Sequence, residues 1–251
     1  MATHSEAVDI LVEDEHIAGT FLTPPTKLPG VLFVHGWGGS QARDLARARG
    51  IAGLGCICLS FDLRGHAQTQ AQQQTVTREQ NLKDLLAAYD LLAQHPHIDP
   101  SAIAVVGTSY GGYLAAILTS LRPVRWLAMR VPALYRDEDW ALPKRQLDRE
   151  VLNRLRRSRV RPEDNRALAA CAAFRGDVLI VESEQDSFVP HETIMSYRAA
   201  FQQTHSLTHR ILLGADHALS EESCQRAYTD ILVGWATEMV VGGRLNRRKD
   251  E

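Results

Sequence analysis

Residues 103–112 read IAVVGTSYGG, and this stretch decides the fold class of the 251-residue chain. Four apolar residues precede the pattern Gly-x-Ser-x-Gly, and the apolar stretch at residues 113–118 follows it. This order predicts a buried strand, a sharp turn that carries Ser109, and a helix. Side chains two residues either side of that serine would collide, and Gly107 and Gly111 avoid the collision. The stretch therefore predicts a serine held in a strained backbone conformation at the edge of an α/β sheet.

Short apolar runs of the same kind recur on both sides of this motif. They are typical of strands that are covered on both faces, as in a parallel sheet. The runs lie at residues 31–34, 56–61, 103–106, 126–129, 178–181 and 210–213. Residues 8–12 and 17–22 flank a polar segment, which predicts an antiparallel hairpin. The chain therefore predicts a mostly parallel sheet of about eight strands.

Helical periodicity fills the intervals between these runs. It is clearest where apolar side chains are spaced by three and four residues, at Leu82, Leu85, Leu86, Tyr89 and Leu92. Further helices are predicted at about residues 43–54, 110–121, 191–202 and 221–240. Since strands and helices alternate, we expect a doubly wound α/β fold with helices on both faces of the sheet.

One segment interrupts the alternation, at about residues 136–176. It lacks a strand-like run, while Leu147, Val151, Leu152 and Leu155 indicate a helix. We interpret it as a small helical cap inserted into a single α/β domain that spans residues 1–251. The segment is basic between residues 154 and 161 but also contains acidic residues. A solvated helical surface is one interpretation of this charge, and a site for an anionic substrate group is another.

Composition excludes several classes of function. Lys and Arg number 28 against 30 Asp and Glu, so the formal net charge of −2 provides no global field to recruit nucleic acid or anionic lipid. No stretch reaches the roughly 18 apolar residues of a membrane span. We therefore expect a small-molecule partner, with no nucleic acid and no membrane. The oligomeric state cannot be derived from these patterns.

The cysteine and histidine patterns favour neither a metal nor a disulfide. Cys56, Cys58, Cys171 and Cys224 form no Cys-x-x-Cys pair, and no His-Glu-x-x-His pattern occurs. An acidic residue, Glu6, lies where a signal peptide would begin its apolar stretch. The sequence predicts a reduced, cytoplasmic protein without metal or cofactor.

A serine hydroxyl is a weak nucleophile and needs a base, which a carboxylate orients in turn. His217 is the preferred base because its loop directly follows the run at residues 210–213, at the same carboxyl edge of the sheet as Ser109. His35 also lies near that edge, but the glycine that follows it suits a role in shaping the loop. We expect His66 to be structural.

The carboxylate is assigned to Asp186, whose loop follows the run at residues 178–181 and is able to reach His217. Glu182 and Glu184 are rivals, because the sequence does not show where the strand ends. Asp216 is next to His217 in the chain, which is a poor position for bonding its ring.

Two backbone N–H groups are predicted to stabilise an oxyanion. The N–H of Tyr110 is unpaired at a helix N-terminus, and the N–H of Trp37 belongs to the glycine-rich bend HGWGGS at residues 35–40. Apolar walls for a substrate are expected from five aromatic side chains: Trp37, Tyr110, Tyr135, Trp140 and Phe188.

Five segments resemble the α/β-hydrolase superfamily, in its order Ser, Asp, His. They are HGWGG at 35–39, DLRGH at 62–66, GTSYGG at 107–112, EQDSFVP at 184–190 and GADH at 214–217. The resemblance extends over about residues 18–235. The stretch HIDP at residues 97–100 is similar to the dienelactone-hydrolase-like and prolyl-oligopeptidase-like branch, although true dienelactone hydrolases carry a cysteine where Ser109 stands.

This resemblance implies a serine hydrolase that cleaves a carboxylic ester of a small substrate through an acyl-enzyme, with Ser109, Asp186 and His217 as the triad. A thioesterase or an amidase or peptidase on the same triad is the alternative. A non-catalytic ligand-binding protein that keeps the fold is a further one.

Overall fold

A computed structural model describes the backbone of residues 4–23 and 28–250, and side chains within residues 5–22 and 28–242. Eight strands form one sheet in the order β1-β2-β4-β3-β5-β6-β7-β8. They are β1 (His4–Val12), β2 (Glu15–Thr23), β3 (Leu28–Val34), β4 (Ile57–Phe61), β5 (Ile98–Thr108), β6 (Trp126–Arg130), β7 (Asp177–Ser183) and β8 (Ser206–Leu212). β1 and β2 form an antiparallel hairpin, β2 joins β4 antiparallel, and all other pairs are parallel. The predicted α/β sheet is confirmed.

Helices cover both faces of this sheet. They are α1 (Ala42–Ala52), α2 (Arg78–Ala93), α3 (Tyr110–Leu118), α4 (Arg149–Arg156), α5 (Arg166–Ala173), α6 (His191–Ala200) and α7 (Glu222–Asp250). α1 and α7 pack on one face, and α2, α3, α5 and α6 pack on the other. α7 continues ten residues beyond its predicted end. No helix in the described part of the chain has the length and apolar character needed to cross a membrane.

The central strand β5 shows why a continuous apolar run is required here. Ile103 and Val105 point into the apolar layer beneath α2 and α3, whereas Ala104 and Val106 point into the layer beneath α1 and α7. Successive side chains of a strand point to opposite faces, so a strand covered on both sides must be apolar at every position. This burial fixes the position of β5, and therefore also the position of Ser109, which directly follows its carboxyl end.

The outermost strand differs from the prediction. The run at residues 210–213 is expected to be covered on both faces, but β8 is half-buried or exposed along most of its length. Ile211 remains 49% exposed, and Leu213 lies beyond the strand and is 76% exposed. The physical reason is that β8 pairs only with β7 and forms the edge of the sheet.

The segment between β6 and β7, which we call the β6–β7 insertion (residues 131–176), contains no strand within the described structure. It contains α4, α5 and two short 3₁₀ helices, Lys144–Gln146 and Pro162–Asp164. Asn165 caps α5 and also donates to the carbonyl of Tyr135 at 2.7 Å. Arg156 at the end of α4 donates to the carbonyl of Phe188 at 3.0 Å. The first contact joins two parts of the insertion, and the second holds the insertion against the loop that follows β7.

Gly111 is required because the turn between β5 and α3 brings two backbones together. A Cβ at this position would lie 2.1 Å from the carbonyl oxygen of Val34 and 2.6 Å from that of His35. We expect Gly111→Ala to lower the free energy of unfolding by about 3 kcal/mol, the upper range for overpacking a tight site. Urea denaturation followed by circular dichroism measures this loss.

Gly234 provides the matched control, because it is exposed on α7 and a Cβ there would meet nothing within 4 Å. Gly234→Ala is expected to raise the free energy of unfolding by up to about 1 kcal/mol, the helix propensity difference between the two residues. Equal effects of the two substitutions would contradict the close approach at Gly111.

Candidate active site

Ser109 joins β5 to α3 with φ 53° and ψ −110°, a conformation that non-glycine residues rarely adopt. Its N–H donates to the carbonyl of Arg130 at 2.8 Å, and its carbonyl accepts the N–H of Ala133 at 2.9 Å. Such contacts keep a strained residue in place. A Cβ on Gly36 would lie 3.4 Å from the Cβ of Ser109, so the glycine-rich bend lies directly against the serine.

His217 lies in the loop after β8 and is held by Asp186, from the loop after β7. The ring Nδ1 donates to Asp186 Oδ2 at 2.6 Å. Asp186 Oδ1 accepts the N–H groups of Phe188 and Val189, each at 2.8 Å, so this carboxylate is fixed before it meets the ring. Its side chain is 1% exposed, whereas that of His217 is 23% exposed. With Nδ1 as the donor, Nε2 of His217 presents a lone pair that accepts a proton.

The rival carboxylates have other partners. Glu182 contacts the rings of two other histidines within 3.0 Å, and Glu184 accepts a backbone N–H at 2.7 Å. Asp216 accepts from the N–H and hydroxyl of one serine. Asp186 is thus the carboxylate among these four that contacts His217. In the parts of the chain that the structure describes, no three His, Cys, Asp or Glu side chains are placed to hold a metal ion.

Ser109 and His217 line one cavity of about 490 Å³, together with the glycine-rich bend. Its volume falls in the range of small-molecule sites. Within the described residues no hydrogen bond joins Ser109 Oγ to His217. Serine–histidine contacts are often long in the absence of substrate and tighten when it binds. The structure therefore brings the predicted nucleophile and base to the same cavity without a bond between them.

The two backbone N–H groups predicted for an oxyanion are free to donate. Tyr110 is the first residue of α3, where backbone donors have no partner within the helix. Trp37 lies in the bend on the wall of the cavity. No acceptor in the described residues takes either N–H. Both groups flank Ser109, one from its own turn and one from the bend that contacts it.

Two buried histidines fix the shape of that bend. His35 Nδ1 donates to the carbonyl of Gly36 at 2.8 Å, and Nε2 accepts the N–H of Leu63 at 3.0 Å. His66 Nε2 accepts the N–H of Gly38 at 3.0 Å. Burial lowers the pKa of His35 to about 4 and also lowers the pKa of His66, so both rings stay neutral acceptors at neutral pH. Since both nitrogens of His35 are engaged, it is unavailable as the base.

The five predicted substrate-wall residues lie in different surroundings. Trp37 lines the cavity, whereas the rings of Tyr110 and Tyr135 are buried in the core. Trp140 lies in the β6–β7 insertion, where a guanidinium group stacks 4.0 Å from its ring centroid. Phe188 is 64% exposed, and its ring centroid lies 5.2 Å from that of His217. The contact of these residues with a substrate stays a prediction.

Charged residues that sequence reasoning missed also line the cavity: Arg43, Asp44, Arg47 and Arg130. Arg130 Nη2 donates to the carbonyl of His217 at 3.0 Å, so this buried cation supports the histidine loop. For Arg130 the sequence did contain a signal. This residue directly follows the predicted strand at residues 126–129, which ends at the same sheet edge as Ser109.

Solved structures from three organisms share this fold. A dienelactone hydrolase from Anabaena variabilis is 20% identical with a TM-score of 0.67, over 93% of this chain and 96% of its own. Est1E from Butyrivibrio proteoclasticus, solved with ferulic acid bound, is 17% identical with a TM-score of 0.72, over 94% of this chain and 100% of its own. The Pyrococcus horikoshii acylaminoacyl peptidase is 16% identical with a TM-score of 0.68, over 92% of this chain and 40% of its own. These likenesses show an α/β-hydrolase fold.

Sequence comparison finds an uncharacterized relative and a matching protein family. An uncharacterized protein of Mycobacterium tuberculosis is 26% identical over 219 residues, which is 86% of this chain and 72% of the relative. The model of the prolyl oligopeptidase family matches residues 46–242, a range that includes Ser109, Asp186 and His217. Because that match covers well over half of the sequence, the chain belongs to the prolyl oligopeptidase family.

Proposed function

We propose that this serine hydrolase cleaves carboxylic esters of small molecules through an acyl-enzyme, with Ser109, His217 and Asp186 as its catalytic residues. The observation that carries the proposal is the 2.6 Å bond from His217 Nδ1 to Asp186 Oδ2. This bond orients the ring and keeps its proton on Nδ1, so that Nε2 can act as the base. Ser109 lines the same cavity as this imidazole. Family membership supports the hydrolase class, and an ester is the substrate proposed for it.

In the first half of the reaction, His217 Nε2 removes the proton of Ser109 as Oγ attacks the carbonyl carbon of the substrate. Asp186 stabilises the imidazolium that forms, since its carboxylate is buried against the ring. The N–H groups of Trp37 and Tyr110 donate to the developing oxyanion. Each such donor typically contributes about 2.7 to 4 kcal/mol to transition-state stabilisation.

In the second half, the imidazolium of His217 gives its proton to the departing alcohol, and an acyl group remains on Ser109. Water then enters, His217 removes one of its protons, and the resulting hydroxide attacks the acyl carbon. The carboxylic acid leaves and Ser109 regains its proton. These residues perform every proton transfer, so the proposed reaction needs no cofactor.

Hydrolysis of amide or peptide bonds is the second candidate. The family match favours it, because the family is defined by an oligopeptidase. The same residues perform amide hydrolysis, with His217 protonating an amine instead of an alcohol. A thioester is cleaved by the same steps. A panel of p-nitrophenyl esters of increasing acyl length, with matched thioesters and anilides, ranks the three bond types by kcat/KM.

A fluorophosphonate probe tests the proposed nucleophile directly. We expect one covalent adduct, on Ser109, because the probe reacts with an activated serine and its phosphoryl oxygen mimics the oxyanion. Tandem mass spectrometry of the digested protein locates the adduct. Labelling of a different residue, or none with full ester turnover, contradicts the role of Ser109. If the protein is not labelled and hydrolyses none of the bond types, a non-catalytic binding protein is favoured.

A further inference from the structure

The cavity beside Ser109 has an unbalanced charge. Three arginines line it, Arg43, Arg47 and Arg130, and they face one carboxylate, Asp44. We infer that this arginine-lined wall binds a carboxylate group of the substrate, so that the preferred esters carry a negative charge a few atoms from the scissile bond. The inference rests on the proposed ester hydrolysis and names its substrate class.

Arg43 and Arg47 have hydrogen-bond donors that the described protein leaves unused. Arg43 is exposed on the first turn of α1, and its guanidinium has no hydrogen bond or ion pair within the described residues. Arg47 is mostly buried, and its Nε has no partner there. A buried donor without an acceptor destabilises the protein, and a ligand that supplies the acceptor removes this cost.

The guanidinium of Arg47 is already oriented for a ligand. It lies 4.8 Å from the ring centroid of Tyr228, and Nη1 donates to the carbonyl of Arg43 at 2.9 Å. These contacts restrict the side chain, so little conformational entropy remains to be lost on binding. A guanidinium presents a planar set of donors that matches the two oxygens of a carboxylate.

The acidic groups nearby do not cancel the positive charge. Asp44 contacts Arg47 at 3.3 Å and balances one arginine, while burial raises the pKa of Asp44 to about 6. Asp186 also faces Arg130 and offsets part of its charge, although its oxygens already accept from His217 and two backbone N–H groups. Arg130 uses its own donors on Ser183 and on the His217 loop, so it contributes charge. Three guanidinium groups against the two carboxylates Asp44 and Asp186 still leave a net positive charge on this side of the cavity.

One small-molecule substrate can contact both the arginines and Ser109, because these residues line the same cavity of about 490 Å³. Hydrogen bonds to charged groups and the low dielectric of a cavity strengthen such contacts. Either the acyl part or the alcohol part of an ester is able to carry the carboxylate. The chemistry is the same in both cases, and substrates that carry the charge on only one of the two sides separate them.

The first test compares each carboxylate ester with its neutral methyl ester. On the acyl side the pair is mono-p-nitrophenyl glutarate and methyl p-nitrophenyl glutarate. On the alcohol side it is 4-acetoxybenzoate and methyl 4-acetoxybenzoate. We expect kcat/KM to favour the charged member of one pair by about tenfold. Arg43→Gln should reduce that ratio about tenfold through KM.

Arg49 supplies the matched control. It lies on the last turn of α1, is exposed, and is outside the cavity lining. Arg49→Gln removes the same charge from the same helix and should leave the ratio unchanged. A ratio near one in both pairs, or an equal loss in both variants, overturns the inference.

A binding measurement separates this inference from the proposed function. Glutarate is titrated by calorimetry into Ser109→Ala protein with and without Arg43→Gln, and into Ser109→Ala with Arg49→Gln. About tenfold weaker binding with Arg43→Gln alone supports the carboxylate site, even if the protein hydrolyses no ester. Ester turnover without glutarate binding, or binding that both arginine variants weaken equally, overturns the site and leaves the proposed function standing.

Discussion

Ser109→Ala is expected to lower kcat for p-nitrophenyl acetate by about 10⁶-fold, the loss typical of removing the nucleophile of a serine hydrolase. Because the hydroxyl makes no hydrogen bond within the described residues, its removal breaks no contact that holds the turn. Alanine and serine also suffer similar strain at φ 53°. The free energy of unfolding should therefore change by less than about 1 kcal/mol. Steady-state kinetics and urea denaturation measure the two quantities.

Ser120 is the matched control for this substitution. It is exposed just beyond the C-terminal end of α3, whereas Ser109 lies at the N-terminal end. Its hydroxyl donates to the carbonyl of Ile117 at 2.8 Å. Ser120→Ala should keep kcat within about twofold. If Ser109→Ala retains more than a small percentage of the activity of the unmodified protein, another residue is the nucleophile.

The fold was predictable because the sequence alternates in the way that a parallel sheet demands. Each of the strands β3 to β7 contains an unbroken apolar run, and the glycines around Ser109 mark the turn where backbones meet. The edge position of β8 was not predictable, since an apolar run does not show whether a strand pairs with one neighbouring strand or with two. The choice among Glu182, Glu184 and Asp186 was open for a related reason. β7 continues to Ser183, so Glu182 still belongs to the strand and pairs with histidines at the sheet edge.

Buried polar groups were the least predictable feature. On α2, Arg78, Asn81 and Asp84 are buried, while the predicted face member Leu82 is only partly buried. Asp84 Oδ1 accepts from Arg64 at 2.6 Å, and a partner twenty residues away in the chain leaves no local pattern. The cavity arginines were missed for the same reason. Polar residues on α1 are typical of a solvated helix face, and only the tertiary fold shows that this helix begins beside Ser109.

The second large effect is expected for Asp186→Asn, which should lower kcat by about 10⁴-fold. Asparagine retains an oxygen for the N–H groups of Phe188 and Val189, so the loop after β7 should keep its shape. Its amide, however, presents a donor where Asp186 Oδ2 accepts from His217 Nδ1. The imidazole then favours the tautomer that carries its proton on Nε2, which cannot accept the proton of Ser109. The imidazolium also loses its neighbouring negative charge. Steady-state kinetics with p-nitrophenyl acetate measure the loss.

Asp216→Asn distinguishes this mechanism from a general loss of negative charge near the imidazole. Asp216 is adjacent to His217 in the chain, but its carboxylate accepts from Ser220 and not from the ring. Both substitutions remove one negative charge beside the same histidine, yet only one alters the hydrogen bond at Nδ1. We therefore expect Asp216→Asn to keep kcat within about threefold. Similar losses in the two variants would show that the local charge, and not the orientation and tautomer of His217, is what catalysis requires, and the assignment of Asp186 would then be wrong.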